Sequence, residues 1–293
     1  MTTRWHLGVI GGSGLAGGLA LENAQEIAVS SPFGAPSGPV TTGTLEGVRI
    51  TFIARHGAGH HLTPSAVNYR ANIDVLKRCG ISDVLSLSAI GSLSEAIAPG
   101  QFVAVDQLID RTQGRVSSFF GEGCVAHVSL ADPTCPRLST LAADAAEAAG
   151  GVVHRGGCYV AIEGPQFSTR AESRLYQQWG GHVIGMTAMP EARLAREAEL
   201  PFALLGMVTD YDCWRAGEAD VDAANVFAVM KANAALAQSA VRKLAASLPP
   251  VREGSPIDRA LDNALVTAPH SRDGKLCAML DAVAGRVLRG VDG

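Results

Sequence analysis

The sequence predicts an α/β fold built on a central mixed sheet with helices packed against it. Apolar runs of strand length alternate with stretches of helical periodicity along most of the chain. Some of the apolar runs, residues 83–87 and 202–208 among them, are continuous, as in strands buried on both faces. A hairpin pattern over residues 42–54 means that the sheet is not wholly parallel.

The chain of 293 residues is long enough for one large or two medium domains with a real core. Hydrophobic residues make up 47% and charged ones 18%, which excludes a disordered chain. A net charge of −4, with no basic stretch interleaved with aromatics, argues against a nucleic-acid partner held through its phosphates. No apolar run reaches the roughly 18 residues of a membrane span. Residues 1–10 are too short, and too soon interrupted by glycine, for a signal peptide. Cys79, Cys124, Cys135, Cys158, Cys213 and Cys277 form no CxxC pair and read as reduced thiols, so the expected compartment is the cytoplasm. No His/Cys spacing suits zinc, and the adjacent His60 and His61 cannot share one helix or strand face, so no metal is expected.

Residues 5–10 read as a first strand that leaves through Gly11-Gly12-Ser13-Gly14. Glycines at a strand exit let backbone N–H groups approach an anion, with the Ser13 hydroxyl as a further donor; an ordinary tight turn fits the same residues. The pattern is neither GxGxxG followed by an acid nor GxxxxGK[ST], so dinucleotide and P-loop readings fail. A loop punctuated by Pro32, Gly34, Pro36, Gly38 and Pro39 leads into the hairpin, which turns at Glu46-Gly47 and ends at Arg55-His56-Gly57. A guanidinium fork there suits an oxyanion, and a surface loop arginine is the plain alternative. Residues 65–80 have helical spacing, with Ser65 near the start and Gly80 as the stop. Residues 83–88 are a buried strand that exits through Ala89-Ile90-Gly91. Polar strand exits at Gly11, Arg55 and Ser88 point to one pocket fed by several strands.

Residues 102–112 read as a strand, 113–136 as a long loop containing His127, and 138–149 as a helix. A strand over residues 154–162 leaves through Glu163-Gly164-Pro165-Gln166-Phe167-Ser168, and Thr169 with Glu172 makes a capping box for a helix over residues 169–179. A short strand at 182–187 precedes a helix begun by Pro190. The apolar run at 202–208 ends in Thr209-Asp210-Tyr211-Asp212. Two acids at the carboxyl end of a buried strand can hold a polar heterocycle, bind a metal or cap the following helix. Residues 221–248 form a long helix that Pro249-Pro250 breaks. Residues 1–250 are read as one catalytic domain, and 251–293 as an extension packed on it, with helices over residues 257–265 and 275–288.

The segments GVIGGSGL, RHGAGHHLTPSAVNYRANI, SAIGSL, QLIDRT, AIEGPQFSTRAES, GMTAMPEARLA and VTDYDCW follow one another in order. Through them the chain resembles the trimeric purine nucleoside phosphorylase superfamily over about residues 7–248, and within it the 5′-methylthioadenosine phosphorylases. The resemblance implies a phosphorylase/hydrolase-like fold with a twisted mixed sheet. It implies phosphorolysis of S-methyl-5′-thioadenosine to adenine and 5-methylthioribose 1-phosphate, within purine and methionine salvage; a 6-oxopurine nucleoside or methylthioinosine is the alternative substrate. It also implies inorganic phosphate as co-substrate, no cofactor, and a homotrimer with sites at subunit interfaces. By resemblance, Ser13, Arg55, His56, Ser88, Ala89 and Thr187 bind phosphate. Phe167 and Ser168 lie against the base and Met186 against the ribose, while His127 reaches a neighbouring subunit's 5′ group. Val221, Val226 and Phe227 line a 5′-methylthio pocket, and core packing would place them equally well.

Relatives acting on 6-oxopurines carry Asn where Asp210 stands and a small residue where Asp212 stands; those acting on 6-aminopurines carry Asp-x-Asp. A carboxylate accepts from an exocyclic amine but meets a 6-oxo group acceptor to acceptor, and an unsatisfied buried group costs about 1–3 kcal/mol. Asp210 is therefore expected at N7 and the amine, with Asp212 in support. Donation to N7 requires a protonated Asp210, hence a raised pKa. The chain departs from the family in reading GGSG where many methylthioadenosine enzymes have GGTG, which keeps the hydroxyl. Its GAGHHLTPS loop is closer to the wider family, 6-oxopurine members included, and it lacks the CxC cysteines of some archaeal relatives.

Overall fold

The sheet divides at β5 (Asp83–Ser92), in a computed structural model that describes residues 4–12, 15, 19–215 and 223–289. On one edge, residues 83–86 pair in parallel with β1 (His6–Gly11), and the sheet continues outward through β4 (Val48–Ala54), β3 (Val40–Leu45) and β2 (Glu22–Ile27). Farther along that edge, Gly91 and Ser92 pair with β10 (Val183–Gly185), followed by β9 (Cys158–Ile162) and β7 (Gln107–Arg111). On the other edge β11 (Phe202–Asp210) runs parallel to β5, with β6 (Phe102–Val105) and β8 (Val153–Arg155) beyond it. Where β1 leaves β5 and β10 takes over, a crevice opens at the carboxyl ends of β5 and β11. Open α/β sheets place ligands at such switch points.

Among the described residues the two larger apolar clusters cover the two faces of the sheet. In β11, Phe202, Leu204 and Val208 enter one core while Ala203, Leu205 and Met207 enter the other. The first is closed by α1 (Tyr69–Arg78) and α4 (Ala188–Glu197), the second by α2 (Pro136–Ala148) and α5 (Ala223–Ser247). The β3–β4 hairpin turns at Glu46 (φ 50°) and Gly47 (φ 77°), the paired left-handed conformation that a two-residue turn with the sheet's own twist needs. α3 (Arg170–Gln178) starts on the expected capping box: Thr169 Oγ1 accepts from Glu172 N at 3.2 Å, and the Glu172 carboxylate accepts from Thr169 N at 2.8 Å.

Several elements differ from the sequence reading, each for a local reason. β2 has no apolar face to signal it, because all six of its residues are exposed. β5 runs on to Ser92 instead of ending at Ser88, since β11 and β10 supply partners for its last residues. Residues 102–112 and 154–162 each form two strands. The breaks fall at Asp106 and at Gly156-Gly157, and the Asp106 carboxylate accepts from Gly157 N at 2.9 Å, so both are made at one place. α1 is capped by Asn68, whose side chain accepts from Ala71 N, and Ser65 gives its hydroxyl to Glu163 instead. The tail is less helical than expected. Pro256–Arg259 is a 3₁₀ turn, and its α-helical parts are α6 (Gly274–Met279) and α7 (Gly285–Leu288). Burial of Leu261, Leu280 and Val283, and the pairing of Arg252 with Asp83, hold it to the rest. Among the described residues no helix is long and apolar enough to cross a membrane.

Candidate active site

A cavity of about 260 Å³ fills the crevice. It is lined by Arg55 and His56 after β4, Ser88 to Gly91 of β5, Phe167 after β9, Met186 and Thr187 after β10, and Thr209, Asp210 and Asp212 at the end of β11. Of the candidate residues named from sequence, Arg55, His56, Ser88, Ala89, Phe167, Met186, Thr187, Asp210 and Asp212 therefore meet around one space.

One side of that space carries Arg55, His56 and two hydroxyls. Arg55 is only 1% exposed. Its Nε donates to Glu191 Oε1 at 2.5 Å, and its Nη2 donates to Glu191 Oε2 at 3.2 Å and to Ser86 Oγ at 2.7 Å. Nη1 donates to the Leu87 carbonyl at 3.2 Å and stands 3.9 Å from where a Cβ on Gly12 would lie; among the described residues its second hydrogen has no hydrogen-bond acceptor. The fork that the sequence offers to an oxyanion is thus largely occupied by Glu191. His56 is held neutral, burial and the neighbouring Arg55 charge pushing its pKa down to about 4. A carbonyl can only accept, so His56 Nδ1–H donates to the Leu62 carbonyl at 2.9 Å, and Nε2 is left as an acceptor. The imidazole stacks on that of His60 with ring centres 4.2 Å apart. The Ser88 and Thr187 hydroxyls lie 3.2 Å from each other, and Thr187 N donates to the Tyr159 hydroxyl at 3.2 Å.

The opposite side carries the two acids. Burial raises the Asp210 pKa, against the opposing pull of hydrogen bonds from Thr209 Oγ1 at 2.7 Å and Asp212 N at 2.8 Å. Gly91 makes room for this carboxyl: a Cβ there would stand 2.9 Å from Asp210 Oδ1. Asp212, at φ 50°, accepts from Ser173 Oγ at 2.5 Å, and its pKa is pushed up to about 6, chiefly by burial and further by Asp210. Residues 212–214 form a turn, so the acids cap no helix there. Among the described residues no group of three or more His, Cys, Asp and Glu side chains could hold a metal ion.

The remaining candidates fall elsewhere. Ser168 is outside the lining; its carbonyl accepts from the Cys213 thiol at 3.1 Å. His127 is exposed, away from the cavity, with its backbone N donating to the Ala264 carbonyl. Ser13 and Val221 lie outside the described residues, as do the side chains of Val226 and Phe227. Met230, one helical turn beyond Val226, lines the cavity. Sequence reasoning passed over Glu191 within the quoted segment GMTAMPEARLA. Its one signal was an acid among residues of apolar helical spacing, which needs a buried cation.

The raised Asp212 pKa sets a pH dependence of stability. The usual value for such a group is 3.8 and the folded one about 6, so its stabilising contribution is complete below about pH 4 and is lost as pH rises through about 6. Asp212→Asn removes the ionisation while keeping an acceptor for Ser173. The variant is expected to melt a few degrees above the wild type at pH 8, on the order of 1–3 kcal/mol, and level with it at pH 4. Thermal melts at the two pH values check this; an equal shift at both would contradict the assignment.

The class of protein follows from the sheet and its comparison with known families: residues 6–246 match the phosphorylase superfamily, and the chain belongs to it. Within that class it is 56% identical over 290 residues to the S-methyl-5′-thioadenosine phosphorylase of Bradyrhizobium diazoefficiens, covering 98% of this chain and 100% of the relative. It is equally 56% identical, over 286 residues, to the enzyme of the same name from Cereibacter sphaeroides, covering 97% and 99%. Among solved structures, a methylthioadenosine phosphorylase sourced from an antarctic soil metagenomic library superposes with a TM-score of 0.87 at 43% identity, over 96% of this chain and 99% of that one. The methylthioadenosine phosphorylase from Schistosoma mansoni in complex with adenine gives 0.80 at 34%, over 83% and 91%.

Proposed function

We propose that the protein is a pentosyltransferase that cleaves S-methyl-5′-thioadenosine with inorganic phosphate, releasing adenine and 5-methylthioribose 1-phosphate. What carries this reading is the meeting of a half-buried and a buried carboxyl, both of raised pKa, with Arg55, His56 and the Ser88 and Thr187 hydroxyls in one cavity. The names of its relatives at 56% identity support the substrate. Phosphate is the nucleophile, so the reaction asks for an anion site and not for an activated side chain or a cofactor. The remaining Nη1–H of Arg55, the Ser88 and Thr187 hydroxyls, the Ala89 backbone and Ser13 hold the phosphate. The neutral His56 accepts, through Nε2, the proton that phosphate itself still carries. Cleavage passes through an oxocarbenium-like state, and the phosphate beside it offsets the developing positive charge. Asp210, protonated, donates to N7 of the leaving adenine and accepts from its amine in the ionised form that remains; Asp212 supports it, and Met186 and Phe167 pack on ribose and base.

The assembly we propose is a homotrimer in which the exposed His127 reaches a neighbour's 5′ group. Its free cysteines support a reducing, cytoplasmic setting for the enzyme. Product analysis with methylthioadenosine, adenosine and methylthioinosine, each with and without phosphate, tests the reading. Phosphate-dependent adenine release is the expected result. Release of hypoxanthine in preference to adenine, or equal turnover without phosphate, would overturn it.

A further inference from the structure

Arg115 belongs to the long loop between β7 and α2, has a side chain only 3% exposed, and does not line the cavity. Its Nη1 nevertheless donates to the carbonyls of Met186 at 2.6 Å and Met189 at 2.9 Å, and to the Tyr69 hydroxyl at 3.3 Å. Its Nη2 donates to the Glu163 carbonyl at 2.6 Å, and its Nε lies 3.3 Å from Glu163 Oε2. The Glu163 carboxylate also accepts from Gln113 N at 2.6 Å and from the Ser65 hydroxyl. One guanidinium therefore joins three segments that carry cavity wall: the one following Pro64, the one leading to Pro165 and Phe167, and the one holding Met186. The last two touch directly in front of it, since a Cβ on Gly164 would lie 2.4 Å from Met186 Sδ.

We infer that Arg115 is a positioning residue that sets the nucleoside-facing wall of the cavity, acting through the Met186 and Glu163 carbonyls. The inference rests on the phosphorolytic reading above. The phosphate side has separate anchors. Arg55 is held by Glu191 and Ser86, His56 by Leu62, and Thr187 by Tyr159. Thr187 shares a peptide unit with the Met186 carbonyl, but its N–H stays held by Tyr159, so loosening Arg115 moves Met186, Pro165 and Phe167 further than it moves the groups that hold phosphate. Lysine cannot replace it, because one ammonium cannot reach carbonyls on two separate segments as a planar fork does.

The test is steady-state kinetics on Arg115→Lys and Arg115→Ala, the latter with and without added guanidinium, beside the wild type. The expected result is a nucleoside KM raised about tenfold to a hundredfold with the phosphate KM within about twofold of wild type. Guanidinium should restore part of the nucleoside affinity of Arg115→Ala. Should that variant fail to fold, Arg115→Lys, which keeps a cation of similar length, decides. Unchanged nucleoside KM, or an equal rise in both KM values, overturns the inference while wild-type activity leaves the phosphorolytic reading standing. A wild type that releases no adenine overturns both.

Discussion

Asp210→Asn is expected to slow adenine release by about 10²–10⁴-fold while the KM for phosphate stays close to wild type. The substitution is nearly isosteric. The amide oxygen can still accept from Asp212 N, and the amide nitrogen can donate to the Thr209 hydroxyl, so the turn at the end of β11 has no reason to collapse. What is lost is the transferable proton. An amide can hydrogen-bond N7 but cannot protonate it, so the leaving purine departs with its charge only partly relieved. Phosphate contacts come from β4, β5 and the Met186-Thr187 segment and are untouched. The pH profile gives a second, independent check. Asp210 acts as an acid only when protonated, and burial raises its pKa above the ordinary carboxylate range. Wild-type kcat should therefore be high at low pH and fall as pH rises through that pKa, and the variant should lack this limb. Rates of adenine release for both proteins, measured across pH, decide the matter; unchanged turnover in Asp210→Asn would refute the acid role.

The sheet was legible where its strands are apolar on both faces. Residues 202–208 and 83–87 announce β11 and β5 because burial on two sides leaves no polar position in them. β2 was invisible for the converse reason: with every residue exposed, it is held by backbone pairing to β3 and not by any side-chain pattern. The end of β5 was misplaced because small residues such as Ala89 and Gly91 read as a turn when no partner strand is in view. In the structure Gly91 has no side chain because the Asp210 carboxyl and Ile184 stand 2.9 and 3.0 Å from where one would begin. The site was legible to the extent that its parts sit at strand ends. Arg55, Ser88 and Asp210 are visible as breaks in hydrophobic runs. Glu191 and Arg115 were not, since one lies in a helix and the other in a loop without periodicity. Neither position reveals that the side chain turns inward to meet a partner more than seventy residues away.

Glu191 gives the largest expected effect on stability. It and Arg55 are both essentially buried, at 2% and 1% side-chain exposure, and they pair through two hydrogen bonds with Ser86 Oγ bridging to both. Removing one partner of such a pair leaves an uncompensated buried charge, at a cost of about 3–5 kcal/mol. Glu191→Gln keeps the shape and removes the charge. It should lower the melting temperature by roughly 6–10 °C in a chain of this size. The phosphate KM should rise as well, because Arg55 lines the cavity and the grip of Glu191 sets the position of its guanidinium. Glu197 supplies the control. It lies on the same helix, is also buried, and accepts from Phe119 N at 2.7 Å and Ser118 Oγ at 2.8 Å. Burial raises its pKa to about 7, so any stabilisation from its protonation is complete below the usual carboxylate pKa and gone above about 7. At pH 8, Glu197→Gln removes a charge that the fold disfavours. The amide keeps one oxygen where Ser118 Oγ and Phe119 N had one each, so the lost hydrogen bond offsets that gain and the net effect should stay within about 1 kcal/mol, a shift of only a few degrees. Melting curves of the two variants at pH 8 separate a pair that the fold depends on from an acid it merely tolerates. Comparable shifts in both would mean that the Arg55–Glu191 pairing is worth no more than ordinary burial.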